Sequence, residues 1–147
     1  MTMSADTLHP ATTILDELTR SLPLIACVLV DASCSVRAAS QGTGHGLEGG
    51  VVAAAVEALL DAGAGLLRAA GEARVDGLFV EGGGAHAFLR PFGEGTVVAL
   101  FDPSQVTFGA VRMALRRQSE TFALLVQVEP PEEPIDRRTL KRFLAKL

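Results

Sequence analysis

Tryptophan and tyrosine are absent from the 147 residues, and seven phenylalanines are all that remains of the aromatic set. That removes the stacking platforms on which single-stranded nucleic acid is held. With 13 basic against 17 acidic residues and a pI near 5.3, the chain also lacks the positive balance that would attract a phosphate backbone. No nucleic-acid partner is expected. Long apolar runs are missing too: no stretch reaches the ~18 uninterrupted apolar residues of a membrane span. The first ten residues contain no basic region followed by an apolar one, so they do not read as a secretory signal. These absences predict a cytoplasmic protein with no stable membrane insertion. Cysteine is scarce, at two residues. Cys27 lies in an apolar run and Cys34 in the turn after it, and a hairpin turning at 32–34 sets Cys27 opposite residue 38, too far from Cys34 for a bridge. His9, His45 and His86 are scattered, so no ligand pair stands at zinc spacing and no metal is expected.

What is present is an apolar chain of one-domain length. Apolar residues make up 48% and mean hydropathy is +0.33, enough to bury a core but in too few residues for a two-domain cofactor enzyme. Thr13 with Asp16 three residues on caps a short helix carrying Leu15, Leu18 and Leu22, which Pro23 ends. Residues 24–31 are β-rich and apolar on both faces, as in a strand covered from two sides. The turn Asp31–Ser35 returns the chain into residues 36–40, a hairpin. From 47 to about 70, Leu47, Val51, Ala54 or Ala55, Leu59, Ala62 and Leu66 recur at helical intervals with small residues between them. Such a smooth helix lets another element approach closely. Residues 74–81, 85–91 and 96–101 read as three strands joined by Gly82–Gly84 and Gly93–Gly95, connections short enough to force antiparallel pairing. Asp102–Ser104 then caps a last helix to about residue 125, with Val111, Leu115, Phe122 and Leu125 as its apolar stripe and Arg112 and Arg116 outside it. The expected order is α-β-β-α-β-β-β-α.

The ends of the chain differ in kind from this body. Residues 1–11 read as a flexible N-terminus and 12–128 as the folded domain. Residues 129–135 form an acidic linker, since the three prolines of the stretch 129–134 cannot continue a helix. Residues 136–147 form a basic amphipathic helix with Leu140, Phe143, Leu144 and Leu147 on one side. Residues 137–147 carry five basic groups and no acid, while residues 1–128 hold 8 Arg against 13 acids. A dozen residues are too few to be firmly helical alone in water, so this segment is expected to order on something.

Gly44 to Gly49 matches G-x-G-x-x-G, the turn that cradles a dinucleotide. The context opposes that function, because the preceding strand is the return arm of a hairpin and the following strands cannot pair in parallel. Glu81, the nearest acid at a strand end, lies 32 residues past Gly49, where a spacing of about 20 is wanted. No Walker pattern occurs, and no serine or cysteine has a sequence context that supplies a paired base. Neither a cofactor nor a catalytic residue is expected, so the chain does not read as an enzyme.

Four stretches in this order resemble the Roadblock family, named from dynein light chains, and most closely its bacterial MglB-like branch. They are Leu22–Asp31, Val51–Leu60, the hairpin from Val75 to Arg90, and Val106–Arg116, together covering residues 12–125. The resemblance implies an α/β (α+β), profilin-like, three-layer α-β-α fold. In it a five-stranded antiparallel sheet carries one long helix on one face and two helices on the other. It implies a homodimer in which the edge strand at 74–81 pairs with its twin through Val75, Leu78, Phe79 and Val80, while the long helices meet at Ala54, Ala55, Ala58, Ala62 and Gly63. An unprotected apolar edge fits that expectation, since symmetric pairing satisfies it. The partner implied is a Ras-like small GTPase, whose hydrolysis such dimers stimulate by positioning the GTPase's own groups without an arginine finger. Glu48, Glu57, Asp61 and Arg68 are the candidate docking residues on the long helix. The C-terminal residues Leu140, Phe143, Leu144 and Leu147 make a candidate second contact. The alternative is a scaffold that uses the same dimer without affecting hydrolysis. One departure stands out: Cys34 occupies a turn position where the family usually has glycine, at a cost of order 1 kcal/mol if the backbone there needs positive φ.

Overall fold

The computed structural model describes residues 10–42, 48–72 and 74–126, and within them the chain forms one sheet between two helical layers. Helix α1 (Pro10–Ser21) opens on a proline at its first turn, where the missing N–H costs nothing, three residues ahead of the expected Thr13 cap. Strands β1 (Ala26–Asp31) and β2 (Val36–Gln41) form the hairpin, helix α2 (Gly49–Arg68) follows, and β3 (Leu78–Glu81), β4 (His86–Phe92) and β5 (Gly95–Phe101) complete the sheet. The strand order is β2-β1-β5-β4-β3, and every pair is antiparallel. This is the five-stranded antiparallel arrangement expected, with β1 and β5 buried at the centre and β2 and β3 at the edges.

The α2 helix joins the two edge strands, so it must cross the whole sheet. Its 20 residues span about 30 Å, against roughly 19 Å for the width of five strands. Glu48 caps it by accepting from the Gly50 amide at 3.0 Å. Its N-terminus stands over the β1–β2 hairpin, where Gly49 approaches Val36, and Gly63 faces Leu78 and Val75 at the far edge.

The opposite face carries three helices rather than two. The last helix divides into α3 (Phe108–Arg117), capped by Thr107, and α4 (Ser119–Val126). Ser119 causes the break: its hydroxyl donates to the Leu115 carbonyl at 3.1 Å and accepts from Arg90 of β4 at 3.3 Å, and such back-bonding bends helices. The stripe of Val111, Leu115, Phe122 and Leu125 is buried as the periodicity predicts. With Leu15 and Leu18 of α1, and Leu29, Phe88 and Phe101 of the sheet, it builds the larger core.

Two local details depart from the sequence reading. Cys27 faces Ser40 rather than residue 38: Val30 pairs with Val36, one position beyond the expected register, and the irregularity at Leu29/Val30 adds a second; both cysteines are free thiols. The third strand starts at Leu78, not at 74, and just before it Gly77 passes so close to Phe88 that a Cβ there would stand 2.9 Å from the ring. In the Asp31–Ser35 turn Cys34 does adopt φ +61°, the strained left-handed conformation. Asp31 holds that turn together: its Oδ1 accepts from the amides of Ser33 and Ser35 and from the Ser33 hydroxyl, and its Oδ2 pairs with Arg37 at 2.8 Å.

Candidate interaction surface

The side of the molecule formed by α2 and β3 is built differently from the rest. Of the 20 residues of α2, only Ala53 and Val56 are buried. Val52, Leu59 and Leu60 complete its inner side, packed on a small cluster with Val28, Val30, Leu89 and Val98. Val51 and Leu66 are 66% and 75% exposed, and Ala54, Ala55, Ala58 and Ala62 between them are exposed as well. The helix therefore presents a second apolar stripe to its outside. By length and composition it is the one helix among the described residues apolar enough to cross a membrane, although its inner side covers the sheet.

Beside this stripe the sheet ends in the unpaired edge of β3. Leu78 and Val80 lie on the α2 face of the sheet, and Phe79 lies on the other, where its ring stacks 4.6 Å from Phe108 and 5.2 Å from His86. Phe79 and Val80 are each 39% exposed. Leu78, Phe79 and Val80 make three of its four residues apolar, and among the described residues no strand pairs with its outer side, so the edge is a template for pairing.

The charges are arranged on the borders of the stripe. At 100° per residue, Glu57 and Asp61 lie on one border of the outer face and Ala55 and Leu66 on the other. Burial first, then the carboxylates of Glu57, Asp31 and Asp61, push the Cys34 thiol above its ordinary value, which places the acidic border against the β1–β2 turn. Among the described residues neither Glu57 nor Asp61 forms an ion pair. Arg68 sits in the last turn, where it complements the helix dipole, and Glu48 is engaged in the cap. Arg112 and Arg116 are exposed on α3, across the sheet from α2, so neither can serve a molecule seated on α2.

The sequence-derived residues fall into three groups. Ala54, Ala55, Ala58 and Ala62 with Glu57, Asp61 and Arg68 share the outer side of α2; on β3, Val80 lies on the α2 face of the sheet and Phe79 on the opposite one. Gly63 faces inward, toward Leu78 and Val75 of its own chain. Leu140, Phe143, Leu144 and Leu147 lie outside the described residues, as do the linker, the N-terminus and residues 43–47 of the glycine loop. Sequence reasoning placed no site at Val51 or Leu66, the large exposed apolar side chains of the helix; an apolar residue in an apolar helix gives no signal of which way it faces.

Among the described residues no constellation for chemistry accompanies this surface. Among the described residues no group of histidine, cysteine or acidic side chains could hold a metal. Burial pushes the Cys27 thiol up to about 12, which leaves it inert. An open groove of about 1260 Å³ at the other end of the sheet is lined by Asp16, Arg20, Gln41, Asp102 and Gln105 among others, with no nucleophile paired to a base. The fully antiparallel sheet removes the parallel βαβ context that a dinucleotide turn requires.

The same arrangement recurs in solved structures. MglB from Myxococcus xanthus superposes with a TM-score of 0.69 at 21% identity over 78% of this chain and 92% of that one. The gliding protein MglB from Thermus thermophilus gives 0.71 at 22% identity over 80% and 88%. The chain has the Roadblock fold, of the MglB-like kind. A Roadblock domain from Streptomyces avermitilis, at a TM-score of 0.57 and 18% identity over 91% and 97%, shares it more loosely. No protein-family model matches the sequence, and no curated protein does.

Proposed function

We propose that this Roadblock-fold chain is a homodimeric regulator of a Ras-like small GTPase. The observation that carries the reading is the coincidence, on one side of the molecule, of an exposed apolar helix face and an unpaired apolar strand edge. Either feature alone is tolerable in a monomer; together they make a contiguous surface that a second copy and a partner would bury. Pairing of β3 with its twin would extend the sheet across the two-fold axis and set two α2 helices side by side as a platform. The likeness in fold to MglB structures, one of them described as having a tetrameric arrangement, supports self-association, and the family resemblance supplies the GTPase.

On such a platform, regulation would work through position. The docking face holds carboxylates and one arginine at the end of a helix, with no side chain poised as a nucleophile or base, so any acceleration of hydrolysis comes from ordering the GTPase's own loops. The test mixes the protein with a Ras-like GTPase loaded with GTP and follows phosphate release. The expected result is faster release that Leu66→Asp abolishes. Tight binding without acceleration assigns the scaffold role instead, and no binding by any Ras-like GTPase defeats the reading.

A further inference from the structure

The described fold ends at Val126, and where it ends bears on what covers α2. A side chain at Gly95 would stand 3.0 Å from Val126, and Gly95 pairs with Asp31 at the start of the β1–β2 turn. Gly49, the first residue of α2, approaches Val36 on the return arm of that same turn. The chain therefore leaves the fold at the end of the sheet where α2 begins. Nine residues, 127–135, separate it from the basic segment 136–147. At ~3.3–3.6 Å per residue they reach about 30 Å, enough to round the end of a sheet whose layers stand on the order of 10 Å apart.

The two surfaces that this reach connects are complementary. The outer side of α2 has an apolar stripe from Val51 to Leu66 bordered by Glu57 and Asp61, which form no ion pair among the described residues. The segment 136–147 has Leu140, Phe143, Leu144 and Leu147 at three- and four-residue spacing, among Arg137, Arg138, Lys141, Arg142 and Lys146. Across the sheet, α3 offers Arg112, Arg116 and Arg117, which would repel it.

We infer that the basic C-terminal segment 136–147 docks in cis on the acidic border of its own chain's α2, covering Val51, Ala54 and Ala58 beside Glu57 and Asp61. Docking there takes Ala54 and Ala58 out of the helix–helix contact that the family resemblance implies and leaves Ala55, Ala62 and the β3 edge to a twin. The segment shields the face that receives a partner, a consequence that rests on the reading of α2 given under Proposed function. A GTPase must displace it, which makes the tail an internal competitor whose local concentration the short linker fixes.

Lysine chemistry tests this on the full chain, because Lys141 and Lys146 are its only lysines. A carbodiimide joins an amine to a carboxylate with no spacer, so each lysine cross-link reports where the segment lies. The expected products join Lys141 or Lys146 to Glu57 or Asp61, within single chains when isotopically heavy and light protein are mixed. Their yield should fall about fivefold with Phe143→Asp, which removes one buried anchor, and fall further in about 0.5 M salt. Cross-links confined to the linker acids or to Asp16, Glu17 and Glu120 overturn the inference. So do heavy–light pairs, or a yield that Phe143→Asp leaves unchanged. If the tail cross-links to α2 but a chain ending at residue 128 stimulates GTP hydrolysis no better than the full chain, the docking stands and the partner reading of α2 fails.

Discussion

The two faces of the sheet are covered by helices to very different degrees. Over one face α1, α3 and α4 lock Leu15, Val111, Leu115, Phe122 and Val126 against Leu29, Phe88, Phe92 and Phe101, and the result is a closed core. Over the other, α2 alone seats a cluster of six buried residues and keeps an apolar stripe turned outward. The first face holds the monomer together. The second is incomplete as a monomer surface, and the unpaired β3 edge beside it is incomplete in the same direction. Stability is thus assigned to the first face, and the proposed association to the second.

The sharpest way to break that division is to attack the closed face. Phe122→Ala removes a fully buried ring stacked 5.6 Å from Phe92 and should cost about 3–5 kcal/mol in urea unfolding. A cost below about 1 kcal/mol would show that this core is not what holds the chain together. On the open face, Val80→Lys places a charge on the β3 edge. It should weaken self-association by about 1–3 kcal/mol, seen as a higher dimer dissociation constant, and leave the folding of the monomer nearly unchanged. Equal loss in both measurements would mean that β3 is a core strand rather than a docking edge.

Much of this division was legible in the sequence, and the reasons differ from element to element. The α3–α4 stripe was readable because Val111, Leu115, Phe122 and Leu125 alternate with arginines and other polar groups, so its inward side is unambiguous. The third strand was readable from its apolar residues ahead of the Gly82–Gly84 turn, and its place at the edge followed from the family resemblance rather than from the residues. The phase of α2 was not, because apolar residues lie on every side of it, and Val51 and Leu66 of the periodic series point outward while Leu59 points in. The break at Ser119 depends on Arg90, a residue 29 positions away, which no local pattern reveals. The hairpin register differs from the expected one by two positions, one set by the turn that pairs Val30 with Val36 and one by the irregularity at Leu29/Val30, and neither leaves a local pattern.

The β1–β2 turn, where the open face meets the end of the sheet, yields two smaller effects. Cys34→Gly relieves the φ of +61° and should stabilise the chain by about 1 kcal/mol, less whatever packing the half-buried thiol supplies, as a raised urea midpoint. Asp31 is 13% exposed in its side chain. Burial alone would raise its pKa, but the hydrogen bonds from Ser35 and Ser33 and the charge of Arg37 outweigh burial and hold it below the ordinary value. A carboxylate so lowered stabilises the fold above the unfolded aspartate value near ~3.9, and that contribution is lost as pH falls through the lower folded value. Asp31→Asn should therefore lower stability at neutral pH, with the gap from the parent chain narrowing as the pH is taken below about 4. A gap that widens on acidification would contradict the role given to this carboxylate.

The central claim is that the α2–β3 side is completed by a second copy. Sedimentation velocity of the full chain, from low to high micromolar concentration, measures this most directly. A two-chain species that dissociates on dilution, and that Val80→Lys shifts to the single-chain form, is the result expected. A single-chain species persisting to high micromolar concentration, with β3 amides protected from hydrogen exchange by the chain's own residues, would contradict it.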